Sequence, residues 1–194
     1  MKIIAATNNE NKVREICEIF TPLGFEVVSQ SNAGIDVEVE ETGNTFEKNA
    51  LIKARAVAMV TDDCVIADDS GLCVDALGGR PGVMSARYAG PDATDADRIE
   101  KLLGELKGET DRSAKFMCSS ACIYPDGREL VAAGEVKGHI LDEPRGENGF
   151  GYDPVFFSDE LSKTFAEATN EEKNSVSHRG RALAAMYEKI KNNR

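Results

Sequence analysis

Positive charge is scarce in this chain, paired-cysteine motifs are missing, and no hydrophobic run is long enough to cross a membrane. Against 34 Asp and Glu there are 23 Lys and Arg, a formal net charge of −11, with a pI near 4.7. A polyanion needs a basic face, so this balance excludes a general nucleic-acid binder. It does not exclude a small phosphorylated ligand, which needs only a local group of cations or a metal ion. The five cysteines, Cys17, Cys64, Cys73, Cys118 and Cys122, are odd in number and form no CxxC pair. Most sit beside Val, Ile, Leu or Met, the setting of buried thiols in a reducing compartment rather than of a zinc site or a disulfide frame. The N-terminal apolar run is too short for a signal peptide, so a cytoplasmic protein with no membrane partner is expected. Repeats, low-complexity tracts and linkers are lacking as well. A length of 194 residues suits one good-sized core, and a single domain over 1–194 is expected.

What is present is an alternation of strand-like and helix-like segments. Lys2–Thr7, Phe25–Ser29, Cys64–Ala67 and Leu72–Ala76 are rich in Val, Ile or Leu and closed by turn residues. Val13, Ile16, Cys17 and Phe20 mark one face of a helix ended by Pro22 and Gly24. A second helix is expected from Asn44, with Glu47 completing a capping box, and a third from near Thr94 through Leu106. Ala114–Tyr124 and Glu129–Lys137 flank "PDGR" and predict a long hairpin, and Arg181–Asn192 a last helix. Alternation first and a hairpin second point to an α/β fold with a mixed sheet and flanking helices.

Five polar stretches interrupt this pattern. "TNNENK" (Thr7, Asn8, Asn9, Glu10, Asn11, Lys12) lies between the first strand and the first helix. Backbone N–H groups and a positive helix end face outward there, so a hydroxyl, amides and an ammonium can hold phosphate. The glycines of the Walker loop are missing, and the same letters also spell a capped helix start. "DVEVEETGNTF" carries Asp36, Glu38, Glu40 and Glu41, carboxylates of the kind that hold Mg²⁺ together with substrate phosphates, or else a solvated acidic edge. Lys53 follows on the next helix. "VIADDSGL" ends an apolar strand in Asp68, Asp69 and Ser70, where an open α/β sheet binds its ligands. "GENGFGYDP" sets Phe150, Gly151, Tyr152 and Asp153 among glycines that let a ligand approach the backbone. "EEKNSVSHRGRAL" places Lys173, His178 and Arg179 in a polar stretch ahead of the last helix, and His178 is one of only two histidines. The other, His139, falls in the exit strand of the hairpin and is read as structural.

Together with "LGGRPGVMSARYAG", these stretches resemble, in order and spacing, the inosine/xanthosine triphosphate pyrophosphatase family over essentially the whole chain. "TNNENK" is similar to its Ser/Thr-x-Asn-x-x-Lys signature, and "EETGNTFEKNA", "ADDSGL", "GFGYDP" and "SHRG" to its other motifs. The resemblance implies an elongated mixed sheet with two lobes around a central substrate cleft, a homodimer, and Mg²⁺ as cofactor. It implies hydrolysis of ITP, dITP and XTP to the monophosphate and pyrophosphate, cleansing the nucleotide pool. By the same resemblance Thr7 to Lys12 would hold phosphates; Lys53, read from its place alone, either reaches a phosphate or is solvated. Asp69 would be the general base and, with Glu40, a metal ligand, the choice among Glu38, Glu40 and Glu41 staying open. Ser70 would touch substrate, Phe150 to Asp153 would pack around the nucleoside, and Lys173, His178 and Arg179 would read the purine.

Residue chemistry agrees at one point. Arg and Lys donate hydrogen bonds and cannot accept them. They suit a 6-keto purine and are left unpaired by the 6-amino group of adenine, which a site built this way rejects. They do not separate ITP from GTP. Two rivals are a Maf-like pyrimidine triphosphate pyrophosphatase of the same fold, opposed by Asn9 and Lys12, and a nucleotide sensor without turnover, opposed by the intact carboxylates Asp68 and Asp69.

Overall fold

Ile3 and Ile4 are both wholly excluded from solvent, although consecutive residues of a strand point to opposite faces. Both faces of the sheet are therefore covered at this strand. The computed structural model describes residues 1–193. Strand β1 (Lys2–Ala5) pairs in parallel with β2 (Glu26–Ser29) and with β3 (Cys64–Val74), and Ile3 stands opposite Val27 and Cys64. Parallel neighbours need crossovers, supplied by α1 (Glu10–Phe20) and α2 (Phe46–Ala58). The remaining strands are β4 (Ser113–Ile123), β5 (Glu129–Ile140), β6 (Phe156–Ser158) and β7 (Lys163–Thr164). Their order across the sheet is β2-β1-β3-β4-β5-β6-β7. β6 runs antiparallel to both β5 and β7, so the sheet is mixed. The other helices are α3 (Asp95–Glu105), α4 (Asn170–Val176) and α5 (His178–Asn192).

The contacts divide into two compact units. The first holds residues 1–69, 118–134 and the chain from Arg179 onward; the second holds 70–117 and 135–178. In the first unit the alternation of strand side chains builds two cores. Ile3, Ala5 and Ile66 pack with Ile16 and Phe20 of α1 and with Leu183, Met186 and Ile190 of α5. Ile4, Val65 and Ala67 pack with Ala50, Ala54 and Val57 of α2. Burial on both faces explains why these strands read as continuous apolar runs. The second unit has one core, in which Leu72, Val74, Phe116, Val136 and Ile140 meet Ile99, Leu102 and Leu106.

Helix starts follow side-chain caps, which supply acceptors to otherwise orphaned N–H groups. Asn9 caps α1 and Thr45 caps α2, while Thr94 with Asp97 and Thr169 with Glu172 form capping boxes on α3 and α4. The expected capping box on Asn44 and Glu47 is thus replaced by Thr45, which accepts from Lys48 N at 3.2 Å. The two strands expected at Cys64–Ala67 and Leu72–Ala76 are one continuous β3. Asp-Asp-Ser-Gly favours a turn locally, but buried partners accommodate both carboxylates within the strand. The last helix starts at His178 rather than Arg181, and α4, β6 and β7 were not anticipated from the sequence.

Candidate active site

Asp68 and Asp69 are adjacent in β3 and nearly buried, at 2% and 6% exposure. Strand geometry turns them to opposite faces, and the two carboxylates meet different partners. Asp68 Oδ2 accepts from Arg179 Nε and Nη2, each at 3.1 Å, and lies 3.2 Å from Lys12 Nζ. Arg179 Nη1 donates to Glu15 of α1, itself buried. Burial pushes the Asp68 carboxyl up, but the charges of Arg179, Lys12 and Lys53 outweigh it and hold the group well below the usual carboxylate range. Burial alone would lower the pKa of Arg179, yet Asp68 and Glu15 raise it. Asp68 Oδ1 is buried and has no hydrogen-bond partner among the described residues.

Asp69 faces α2. Its Oδ2 accepts from Asn49 Nδ2 at 3.1 Å and its Oδ1 lies 3.3 Å from Lys53 Nζ. The same ammonium bonds Glu41 Oε1 at 2.7 Å. Burial opposes the charge on Lys53, but Asp69, Asp68 and Glu41 together raise its pKa. Asn49 also accepts from Gly43 N at 2.7 Å. A Cβ at Gly43 would stand 2.5 Å from Asn49 Oδ1, so only glycine lets this loop lie against the helix. "EETGNTFEKNA" is therefore one device. Gly43 and Asn49 pin the loop, Thr45 starts the helix, and Lys53 joins Glu41 to Asp69.

The carboxylate brought beside Asp69 is thus Glu41, whereas Glu40 and Glu38 are exposed. Half-buried Val37 and Val39 alternate with exposed Asp36, Glu38 and Glu40, and that alternation turns Glu41 inward. Sequence reasoning left Glu41 as one of three choices and missed Asn49 and Glu15. The spacing of Gly43, Asn49 and Lys53 around a cap was the available signal.

At the start of α1, "TNNENK" folds as a capped helix start. Thr7 Oγ1 accepts from Asn9 N at 3.1 Å, and Asn9 Oδ1 accepts from Asn11 N and Lys12 N at 3.0 and 3.2 Å. The Thr7 hydroxyl and the Asn9 amide each keep a donor beyond these caps. Asn8 and Glu10 are exposed, and Asn11 takes a bond from Arg14. Lys12 reaches the middle of β3, 3.4 Å from Asp68 O. The loop is a capped helix start that also carries a lysine to the paired aspartates.

In the second unit, Asp153 Oδ2 accepts from Phe150 N at 2.9 Å and from Lys173 Nζ at 2.7 Å. Lys173 Nζ also stands 4.6 Å from the centroid of the Phe150 ring. Gly149 adopts φ +75°, and a Cβ there would come 2.1 Å from Asp153 Oδ2. Gly151 N donates to Asp95 at 2.7 Å. Tyr152 is a core residue whose hydroxyl donates to Ser85 O at 2.9 Å. His178 stacks on Phe116, 4.7 Å between ring centroids, and Ser70 is half-buried. A cavity of about 630 Å³ opens between this loop and α3, lined by Ile99, Leu103 and Phe150 with Asp95, Glu100 and Glu147. Its lining includes three carboxylates and no Lys or Arg, which does not suit a triphosphate.

One expectation about position is corrected. His178 and Arg179 are expected in a polar loop with Lys173 upstream; all three are buried, and Arg179 is 2% exposed in the first turn of α5. Its Nε and Nη2 donate to Asp68 and its Nη1 to Glu15.

Hard oxygen donors fit Mg²⁺, which takes one or two carboxylates and completes its shell with phosphates and water. Asp69 and Glu41, drawn together by one ammonium, and the orphaned Asp68 Oδ1 are such donors. Among the described residues no three His, Cys, Asp or Glu side chains form a closed metal cage.

Comparison with known proteins places this geometry in context. The model of the Ham1 family matches residues 3–189. A dITP/XTP pyrophosphatase of Bacillus subtilis is 52% identical over 185 residues, covering 94% of this chain and 93% of its own. One from Treponema denticola is 47% identical over 194 residues, covering 98% and 99%. The solved structure of the Staphylococcus aureus Ham1 protein is similar with a TM-score of 0.89 at 43% identity, over 100% of both chains. That of a HAM1 protein from Coxiella burnetii is similar with a TM-score of 0.89 at 42% identity, over 99% of each.

Proposed function

The chain belongs to the Ham1 family, and from that premise we propose that it hydrolyses the non-standard purine nucleoside triphosphates dITP, XTP and ITP to the monophosphate and pyrophosphate. The observation that carries the reading is Asp69, nearly buried yet oriented by Asn49 and Lys53, with Glu41 on the same lysine. Asp69 receives the proton of the attacking water; its fixed orientation is what general-base action requires. Lys12, the Thr7 hydroxyl and the amides of Asn8 and Asn9 hold phosphate oxygens at the start of α1. Asp68 stays ionised against Arg179 and Lys12 and keeps Lys12 in place. Lys173 and His178 supply donors for the 6-keto edge, and Phe150 supplies an aromatic face for the purine. Asp69 and Glu41 would hold Mg²⁺, which when bound neutralises charge on the phosphates. The resemblance also supports a homodimer working in the cytoplasm; no helix of the described residues is long and apolar enough to cross a membrane.

The test is turnover of dITP, XTP, ITP, UTP, dTTP and ATP with and without Mg²⁺, followed by phosphorus NMR of the products. Monophosphate and pyrophosphate from the first three substrates are expected. Orthophosphate and a diphosphate as primary products, or preference for the pyrimidines, would refute it.

A further inference from the structure

Cys64, the first residue of β3, and Cys122 in β4 face each other with their Sγ atoms 3.2 Å apart. They are 3% and 0% exposed, and β3 and β4 are neighbours in the sheet. A second contact, Cys118 Sγ to Asp68 Oδ2 at 3.9 Å, lies four residues further along β3 and four residues back along β4. Contacts displaced in opposite senses mean that the strands run antiparallel here, with Cys64 directly opposite Cys122. Opposed residues in such a ladder have Cα atoms about 4.5–5.5 Å apart, inside the roughly 4.4–6.8 Å that a disulfide spans. Of the other cysteines, Cys73 meets Met117 and Cys118 meets Asp68.

We propose that Cys64 and Cys122 form a redox modification site, oxidised by a hydroperoxide to a disulfide that ties β3 to β4. With Cys122 as donor, the hydrogen bond between the thiols lowers the pKa of Cys64, while that bond and burial raise Cys122. Cys64 is accordingly the attacking sulfur. Its thiolate takes the distal oxygen of ROOH; the O–O bond breaks, RO⁻ collects the thiol proton, and Cys64 becomes a sulfenic acid. Cys122 then attacks Cys64 Sγ. The S–S bond forms, the S–O bond breaks, and hydroxide leaves with the Cys122 proton as water. The two thiols supply two electrons, and ROH and water are the by-products. Asp62, two residues before Cys64, is exposed, as is Pro125, three residues after Cys122, so this end of the two strands lies close to the surface. The bond would close a loop of 58 residues and restrict the unfolded chain.

The test uses the intact folded protein and hydrogen peroxide. After treatment the protein is denatured in an alkylating agent and mapped by mass spectrometry without reduction. A peptide linking Cys64 to Cys122, two hydrogens lighter and lost on adding dithiothreitol, is expected, with Cys118 still alkylated. The oxidised protein should melt at a higher temperature than the reduced one. Five alkylated thiols, oxidation confined to the half-buried Cys17 and Cys73, or a linkage between any other pair would overturn the proposal. No substitution is needed for this measurement. In Cys122→Ser, Cys64 should stop at a sulfenic acid trapped by dimedone; absence of the adduct in a folded variant would overturn the order of steps.

Discussion

Replacing Arg179 by methionine removes the cation shared by Glu15 and Asp68, which are 5% and 2% exposed. Taking one partner from a buried ion pair costs about 3–5 kcal/mol, because the charge left behind has lost both water and counter-ion. Asp68 keeps Lys12 at 3.2 Å, so the lower end, about 3 kcal/mol, is expected. For a chain of this size each kcal/mol lowers the melting temperature by about 2–4 °C, so a loss of about 6–12 °C follows. The cost should depend on pH in a definite sense. In the parent protein the Asp68 carboxyl is held below its ordinary value. Its contribution is complete above the unfolded value of about 3.9 and is lost as pH falls toward the folded one. In Arg179→Met, Glu15 is a buried acid without that cation, and its pKa is pushed up. Protonation of Glu15 therefore relieves the variant first, and the gap between variant and parent should narrow as pH drops from about 7 to about 4. Adding Glu15→Gln should restore part of the loss, because the two residues are in contact and their effects are not additive. Urea unfolding followed by circular dichroism at several pH values measures this. A gap that does not change with pH, or a double variant that loses the full sum, would refute the electrostatic account and leave only lost packing of a long side chain.

Asp69→Asn should lower turnover by roughly two orders of magnitude or more while leaving the melting temperature close to that of the parent; comparable rates at saturating Mg²⁺ would remove Asp69 from its role. Lys12→Ala should raise KM and lower kcat, whereas Lys191→Ala, at an exposed position paired only loosely with Glu188, should change neither; equal effects would return "TNNENK" to a helix cap and nothing more. Gly43→Ala forces a Cβ to within 2.5 Å of Asn49 Oδ1, so it should loosen both Asn49 and Glu41 around Asp69 and reduce kcat/KM by about tenfold or more, as one displaced orienting contact does. Full activity in that variant would show that the loop does not position the carboxylates.

Local signals carried much of the fold. The apolar runs of β1 and β2, the stop at Pro22 and Gly24, and the turn at "PDGR" depend on near neighbours, and each lies where the sequence put it. Gly127, at φ +83°, accepts the turn conformation, and Asp126 closes it by accepting from Arg128 N at 3.0 Å. The short strands β6 and β7 and the seven-residue α4 were illegible. They contain too few residues to show a period, and Phe156, Phe165 and Val176 reveal their purpose only in the core that buries them.

By itself the sequence determined the family, through the order and spacing of its polar stretches, and the alternating α/β character, through periodicity and caps. It also determined where helices begin, because a cap such as Asn9 acts within a few residues of where it stands. Only the tertiary structure decided which partners each of two adjacent aspartates meets. Asp68 and Asp69 are identical neighbours, but a strand turns consecutive side chains to opposite faces. One therefore meets Arg179, which is 111 residues away in the chain, and the other meets Asn49 and Lys53. The same physics turned Glu41 toward Lys53, left Glu40 exposed and buried Arg179 against Glu15. Ion pairing acts through space, and no local pattern records which distant charge the fold will bring near.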